Sequence, residues 1–168
     1  MTPDKEKIYK NATNKLLAII DQMGMAKIQR MRAKNLALYF RDSFKLPEVQ
    51  HETFWTDLEE NMNAFNYYSD GFCRASSVNF ALMMGGQKEW KLMYIDKLSW
   101  TFGPHHYLLH TPSKTILDLT YDQYTNVGIS VPYSLGKPIE LEFRDEDIAL
   151  RFAESLRLTS LLENNQKG

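Results

Sequence analysis

The chain has 168 residues, 43% hydrophobic and 12% aromatic, which suits one ordinary domain with a packed core and excludes disorder over most of the length. With 20 Lys and Arg against 21 Asp and Glu, the formal charge of −1 gives no basic surface for nucleic acid and no bias toward acidic membranes. One cysteine forms no internal disulfide, and no stretch approaches the roughly 20 apolar residues of a membrane span. The polar start Met1-Thr2-Pro3-Asp4-Lys5 lacks the apolar region of a secretory signal. The expectation is a soluble protein, cytoplasmic by default, with signal-independent export as the alternative.

Residues 4–22 predict a helix, with Ile8, Ala12, Leu16, Ile19, Ile20 and Met23 at three- and four-residue spacings and Gly24 as its stop. A second helix over 25–44 carries Ile28, Met31, Leu36, Tyr39 and Phe40 on one face. Its Lys27, Arg30, Arg32 and Lys34 read as a solvated face. Pro47 is expected to end this section. A third helix spans Glu52 to Phe65, with Phe54, Trp55, Leu58, Met62 and Phe65 as its stripe. A loop over 67–71 then delivers the chain to Cys73, and a helix runs from there to Met84.

After Gly85-Gly86 the period changes to that of strands. Residues 90–95 predict a strand, and 106–111 with 114–120 a hairpin around Pro112-Ser113. Residues 121–137 read as irregular, 139–143 as a last strand, and 144 to about 162 as a final helix whose acidic opening suits the helix dipole. The layout is α+β: amino-terminal helices, a nucleophile-bearing helix on a small antiparallel sheet, and a carboxy-terminal helix. It is expected to form one domain over 1–168, divided into a helical part (1–66), a core (67–143), and the last helix and tail (144–168).

A cysteine at a helix N-terminus has its thiolate stabilised by the helix dipole and by unpaired backbone N–H groups, which can also receive an oxyanion. Such a thiol needs a base within reach and an orienter behind the base. If Pro112 and Ser113 form the turn, His110 pairs with Thr115 and Tyr107 with Asp118. His105, Tyr107 and Asp118 then share one face of the hairpin and His106 takes the other. This parity favours His105 as base, with His106 as the alternative that a single bulge would select. Asp118 is the orienter and Asp122 the fallback acid. Gly71, Phe72 and Arg74 beside the thiol, and Tyr107 beside the histidines, are candidates for substrate or oxyanion contact. His110 reads as a surface or packing residue, and His51 has no partner in sequence.

The segments His105-His106-Tyr107-Leu108 and Asp118-Leu119-Thr120, continuing into Tyr121-Asp122-Gln123-Tyr124, resemble the transglutaminase-like, papain-related cysteine enzyme superfamily, in particular its small bacterial members, and Gly71-Phe72-Cys73 resembles the nucleophile segment of arylamine N-acetyltransferases, which share that core. The resemblance covers residues 70–124 and leaves the amino-terminal helices unplaced. Leu119 departs from that group's usual proline, and no glutamine or tryptophan is identifiable as an oxyanion donor, although Trp55, Asn63 and Asn66 are available. The resemblance implies Cys73 as nucleophile, His105 as base and acid, and Asp118 as orienter. It also implies a papain-like core and a thioester intermediate on an amide or acyl substrate (a protein, a peptide or a small molecule), with no cofactor. Peptidase, deamidase, transglutaminase and acetyltransferase chemistry all fall within it, as do inactive binding domains. In the binding-domain alternative Met25, Met31 or Tyr39 would meet a partner. Zinc held by Cys73, His105, His106 and Asp118 is a third reading, disfavoured because no close ligand pair is present.

Overall fold

A computed structural model describes residues 2–55, 67–96 and 103–158. Helix α1 (Pro3–Asp21) opens on Thr2, whose hydroxyl accepts from the Lys5 amide, and buries Tyr9, Ala12, Leu16 and Ile20 along one stripe. Helix α2 (Lys27–Ser43) buries Ala33, Ala37 and Phe40. Pro47 does not end this section but begins α3 (Pro47–Phe54). The first position of a helix has no use for an N–H, so proline fits there. Trp55 ends α3 in the left-handed region, and residues 56–66 of the expected third helix lie outside the described residues.

Helix α4 (Cys73–Met83) is buried from Cys73 through Leu82. It packs on a four-stranded antiparallel sheet of β1 (Trp90–Ile95), β2 (His105–His110), β3 (Thr115–Leu117) and β4 (Lys137–Ile139), ordered β3-β2-β1-β4. Leu92, Leu108 and Leu117 stand directly opposite one another across three strands and share the core with Val78, Phe80 and Ala81. Side chains alternate along a strand, so the helix-facing row of β2 is His106, Leu108 and His110. At the other side of α4, Phe72 stacks on Phe44 with ring centroids 4.4 Å apart and meets Phe152 at 5.6 Å.

The last strand and last helix differ from expectation. The β4 ladder lies at 137–139, two residues early, with Pro138 opposite Met93. A proline is tolerated there because β4 is an edge strand. A short helix α5 (Asp122–Thr125) interrupts the stretch expected to be irregular. Helix α6 (Ile148–Ser155) begins at Asp147, whose carboxylate caps Ala149, so the acidic residues before it lie outside the helix. It stops short of 162 because Arg157 is left-handed (φ 58°). There the Leu158 amide donates to the Ala153 carbonyl at 2.8 Å and the Arg157 amide to that of Glu154 at 2.9 Å, a Schellman closure. Residues 159–168 lie outside the description. Among the described residues no helix is long and apolar enough to cross a membrane.

A buried ion pair ties the amino-terminal helices to the sheet. The Arg41 guanidinium donates to both Asp122 carboxylate oxygens at 2.8 Å, to the Leu119 carbonyl at 2.9 Å and to the Tyr9 carbonyl at 3.1 Å. Tyr67 donates a further hydrogen bond to Asp122 at 2.6 Å. Asp122, the fallback acid of the sequence reading, is thereby fully engaged away from the thiol. Removing one partner of a buried pair strands the other charge without solvent. Arg41→Ala should therefore lower stability by about 3–5 kcal/mol in urea unfolding. A loss under about 1 kcal/mol, typical of an exposed pair, would contradict this role.

Candidate active site

The site starts from a turn. The Phe72 amide donates to the Ser69 carbonyl at 3.2 Å, and Gly71 sits at φ 80°, a conformation glycine adopts without strain. The Gly71 N–H donates to Gln123 Oε1 at 3.1 Å, and Gln123 Nε2 donates to Thr120 Oγ1 at 3.0 Å. Phe72 then serves as N-cap of α4 but brings no side-chain acceptor, so the first-turn amides and the positive end of the dipole face Cys73 without a side-chain cap.

The hairpin adopts the register expected from its turn: His110 opposite Thr115, Leu109 opposite Ile116 and Leu108 opposite Leu117. Asp118 follows directly on the end of β3. His105 on β2 reaches it diagonally, with Nε2 and Oδ2 2.6 Å apart. Asp118 is held from two more directions. Its Oδ2 accepts from the Tyr133 hydroxyl at 2.9 Å and its Oδ1 from the Thr120 amide at 3.2 Å. Tyr107 fixes Tyr133 in turn, donating to its carbonyl at 2.8 Å. Gly136 makes room for that contact, because a Cβ there would stand 1.8 Å from the Tyr107 hydroxyl oxygen.

His106 belongs to the helix-facing row, and its Nδ1 lies 3.8 Å from Cys73 Sγ. The Tyr94 ring lies against it at 5.1 Å. The structure thus brings Cys73, His105, His106 and Asp118 together. His105 makes the hydrogen bond to the acid, and both histidines act on the sulfur, His106 with its Nδ1 at 3.8 Å. The remaining His105 nitrogen, Nδ1, is buried, and the ring acts on the thiol by hydrogen bonding and charge and stands edge-on to Tyr124 at 4.8 Å.

Electrostatics follows this arrangement. Burial pushes the Cys73 thiol up, but hydrogen bonding and charge from His105, and then His106, outweigh it and bring the thiol down to about 5. Burial lowers His105, yet the Asp118 carboxylate overcomes it and raises the imidazole to about 10. Between those values the favoured state is a thiolate beside an imidazolium. Burial and the Asp118 charge both raise the Tyr133 phenol, keeping it a neutral donor.

The four residues singled out for substrate or oxyanion contact have other partners. The Gly71 amide is taken by Gln123, Phe72 is stacked in the core, and Tyr107 supports Tyr133. Arg74 donates to both Asp147 oxygens, at 3.0 and 2.6 Å, and so locks the start of α6 to α4. Their observed contacts hold the frame of the site. Trp55 is exposed under the Arg151 guanidinium at 4.0 Å, and Asn63 and Asn66 lie outside the described residues. His110 is buried against Trp90 and bonded to Ser113 at 2.7 Å. It lines a cleft of about 710 Å³ with Met84 and Trp90, at the end of α4 remote from Cys73.

Among the described residues no group of three or more His, Cys, Asp and Glu side chains is arranged to hold a metal ion. Asp118 and His105 Nε2 are already engaged with each other. Tyr133 and Gly136 were not singled out from sequence, and nothing periodic in 121–137 marks them, whereas Thr120 stood within the segment that carries the resemblance without its contact to Asp118 being foreseen. Gln123 stood within the run that carries the resemblance, yet its contact with Gly71 has no local signature. No family model matches this chain, and neither a curated protein nor a solved structure matches it significantly.

Alkylation by iodoacetamide reads the thiolate directly. Thiolate is present above the folded value and lost as pH falls through it, so the rate should stay near its plateau at pH 6 and reach half-maximum near 5. An unperturbed thiol has its midpoint at about 8.5. Asp118→Asn removes the charge that holds His105 cationic and should raise the midpoint by about one unit or more. A native midpoint near that of a free thiol would refute the ion pair.

Proposed function

We propose that this protein is a cysteine-nucleophile enzyme that acts on an amide or acyl group through a thioester on Cys73, as a hydrolase or an acyl or amine transferase. The observation that carries this reading is a thiol at the start of a buried helix, set between two imidazoles of which one is clamped to a buried carboxylate. The side-chain types of an activated nucleophile, a base and an orienting group are all present at the site and support this reading. The resemblance to transglutaminase-like and papain-related enzymes supports it through chain order, Cys73 before His105 before Asp118. The substrate class that fits is a protein, a peptide or a small molecule carrying an amide, with ammonia, an amine or a peptide as leaving group. Hydrolysis gives peptidase or deamidase activity, and capture of the thioester by an amine gives cross-linking.

A second reading, a binding module on the same fold, rests on α2. Met31 and Tyr39 are exposed on this helix together with Ile28, whereas Met25, expected beside them, packs partly buried against the core. Thiol chemistry separates the two. On incubation with p-nitrophenyl acetate, intact-mass and peptide analysis should find one acetyl group on Cys73 of the native chain and none there in Cys73→Ala. Acetylation confined to lysines in the native chain would favour the binding module.

A further inference from the structure

The two histidines differ in a way that the contact distances alone do not capture. His105 has no exposed surface (0%), and its Nε2 is held at 2.6 Å by Asp118, which in turn is held by Tyr133 and Thr120. His106 and Cys73 each keep 8% of their surface exposed and touch each other at 3.8 Å. A substrate reaches the thiol from solvent, and its leaving group must collect a proton from a group that it can meet on the same side. A residue enclosed on every side and fixed to a carboxylate is poorly placed to hand a proton to an amine or to strip one from water. A neighbour in contact with both the sulfur and the outside is well placed.

We infer, resting on the thioester reading above, that the adjacent histidines divide the work. His106 carries the proton between sulfur, substrate and water, and His105 with Asp118 is a fixed cationic partner that positions and stabilises the thiolate. The cycle begins as the Cys73 thiol hands its proton to His106 Nδ1, 3.8 Å away. The Cys73 sulfur attacks the carbonyl carbon, forming the C–S bond and placing the carbonyl electron pair on oxygen. Collapse breaks the C–N bond, the nitrogen takes the proton from His106, and the neutral amine departs. Water then attacks the thioester while His106 Nδ1 takes one of its protons. Collapse expels the thiolate, releases the carboxylic acid, and leaves His106 protonated, as it stood before the attack. His105 changes neither its proton nor its partner in this cycle and is a positioning residue, whereas His106 is the catalytic one.

The inverse assignment, with His105 as the proton carrier and His106 as bystander, follows from strand parity and predicts the opposite outcome in one experiment. The full chain is mixed with p-nitrophenyl acetate, whose leaving group departs without a proton. The burst of nitrophenolate then reports thioester formation, and the steady rate reports its hydrolysis. His106→Ala should keep the burst, lose about 100-fold or more in the steady rate, and recover part of it when imidazole is added to solvent. His105→Gln, chosen to keep a hydrogen-bond donor for Asp118, should raise the pH midpoint of Cys73 alkylation. It should not respond to imidazole, because the space it vacates is enclosed. The Cys73→Ala chain with the same imidazole sets the background. Native hydrolysis in His106→Ala, or imidazole rescue of the His105 variant alone, overturns the division. Absence of any burst in the native chain overturns the thioester reading itself, a distinct result from an intact burst with unchanged hydrolysis.

Discussion

A carboxylate just past the end of β3, within reach of His105, organises this molecule. Asp118 is 3% exposed, and an unpaired charge at that depth would be costly. It is met instead by the His105 imidazole, the Tyr133 hydroxyl and the Thr120 amide. The pairing fixes the His105 ring, favours its charged form, and through that charge draws the proton from the thiol at the start of α4. Sheet register, side-chain charge state and thiol reactivity are therefore linked by one contact.

The parts of the fold remote from the thiol serve to keep that contact in place. Gly136 leaves room for Tyr107, Tyr107 holds the Tyr133 backbone, and Tyr133 holds Asp118. Gln123 ties the turn before the nucleophile to the chain that follows the acid, so the two halves of the site are joined directly as well as through the core. Arg41 and Asp122 anchor α1 and α2 to the same stretch, and Arg74 with Asp147 anchors α6 to α4. Each is a charged pair enclosed by the fold. Such pairs specify one arrangement of elements because a mismatched docking leaves a charge uncompensated.

Much of this was legible in the sequence where the signal is local. The spacing of Ala12, Leu16 and Ile20 marks α1, and the Pro112-Ser113 turn sets the register that delivers His105 to Asp118. Local signals also misled at defined points. Pro47 reads as a stop but is equally suited to a first helical position, and Pro138 displaces the expected strand because an edge ladder accepts it. Arg157 in the left-handed region ends α6 where the apolar pattern continues. The division between His105 and His106 could be half read. Parity separates their faces, but which face packs against α4 depends on the row Leu92, Leu108 and Leu117, a three-strand relation. Tyr133 and Gly136 lie in a stretch without period, and their roles emerge only when the chain returns past β2.

The central claim is that His105 is held as an imidazolium by Asp118 and shares its site with a Cys73 thiolate. Nitrogen-15 NMR of the histidine rings tests this most directly at about pH 7, midway between the values favoured for the two groups. The account predicts both His105 ring nitrogens protonated in the native chain, and a neutral ring once Asp118 is replaced by asparagine. A neutral His105 ring in the native chain, with one nitrogen bare at that pH, would contradict it.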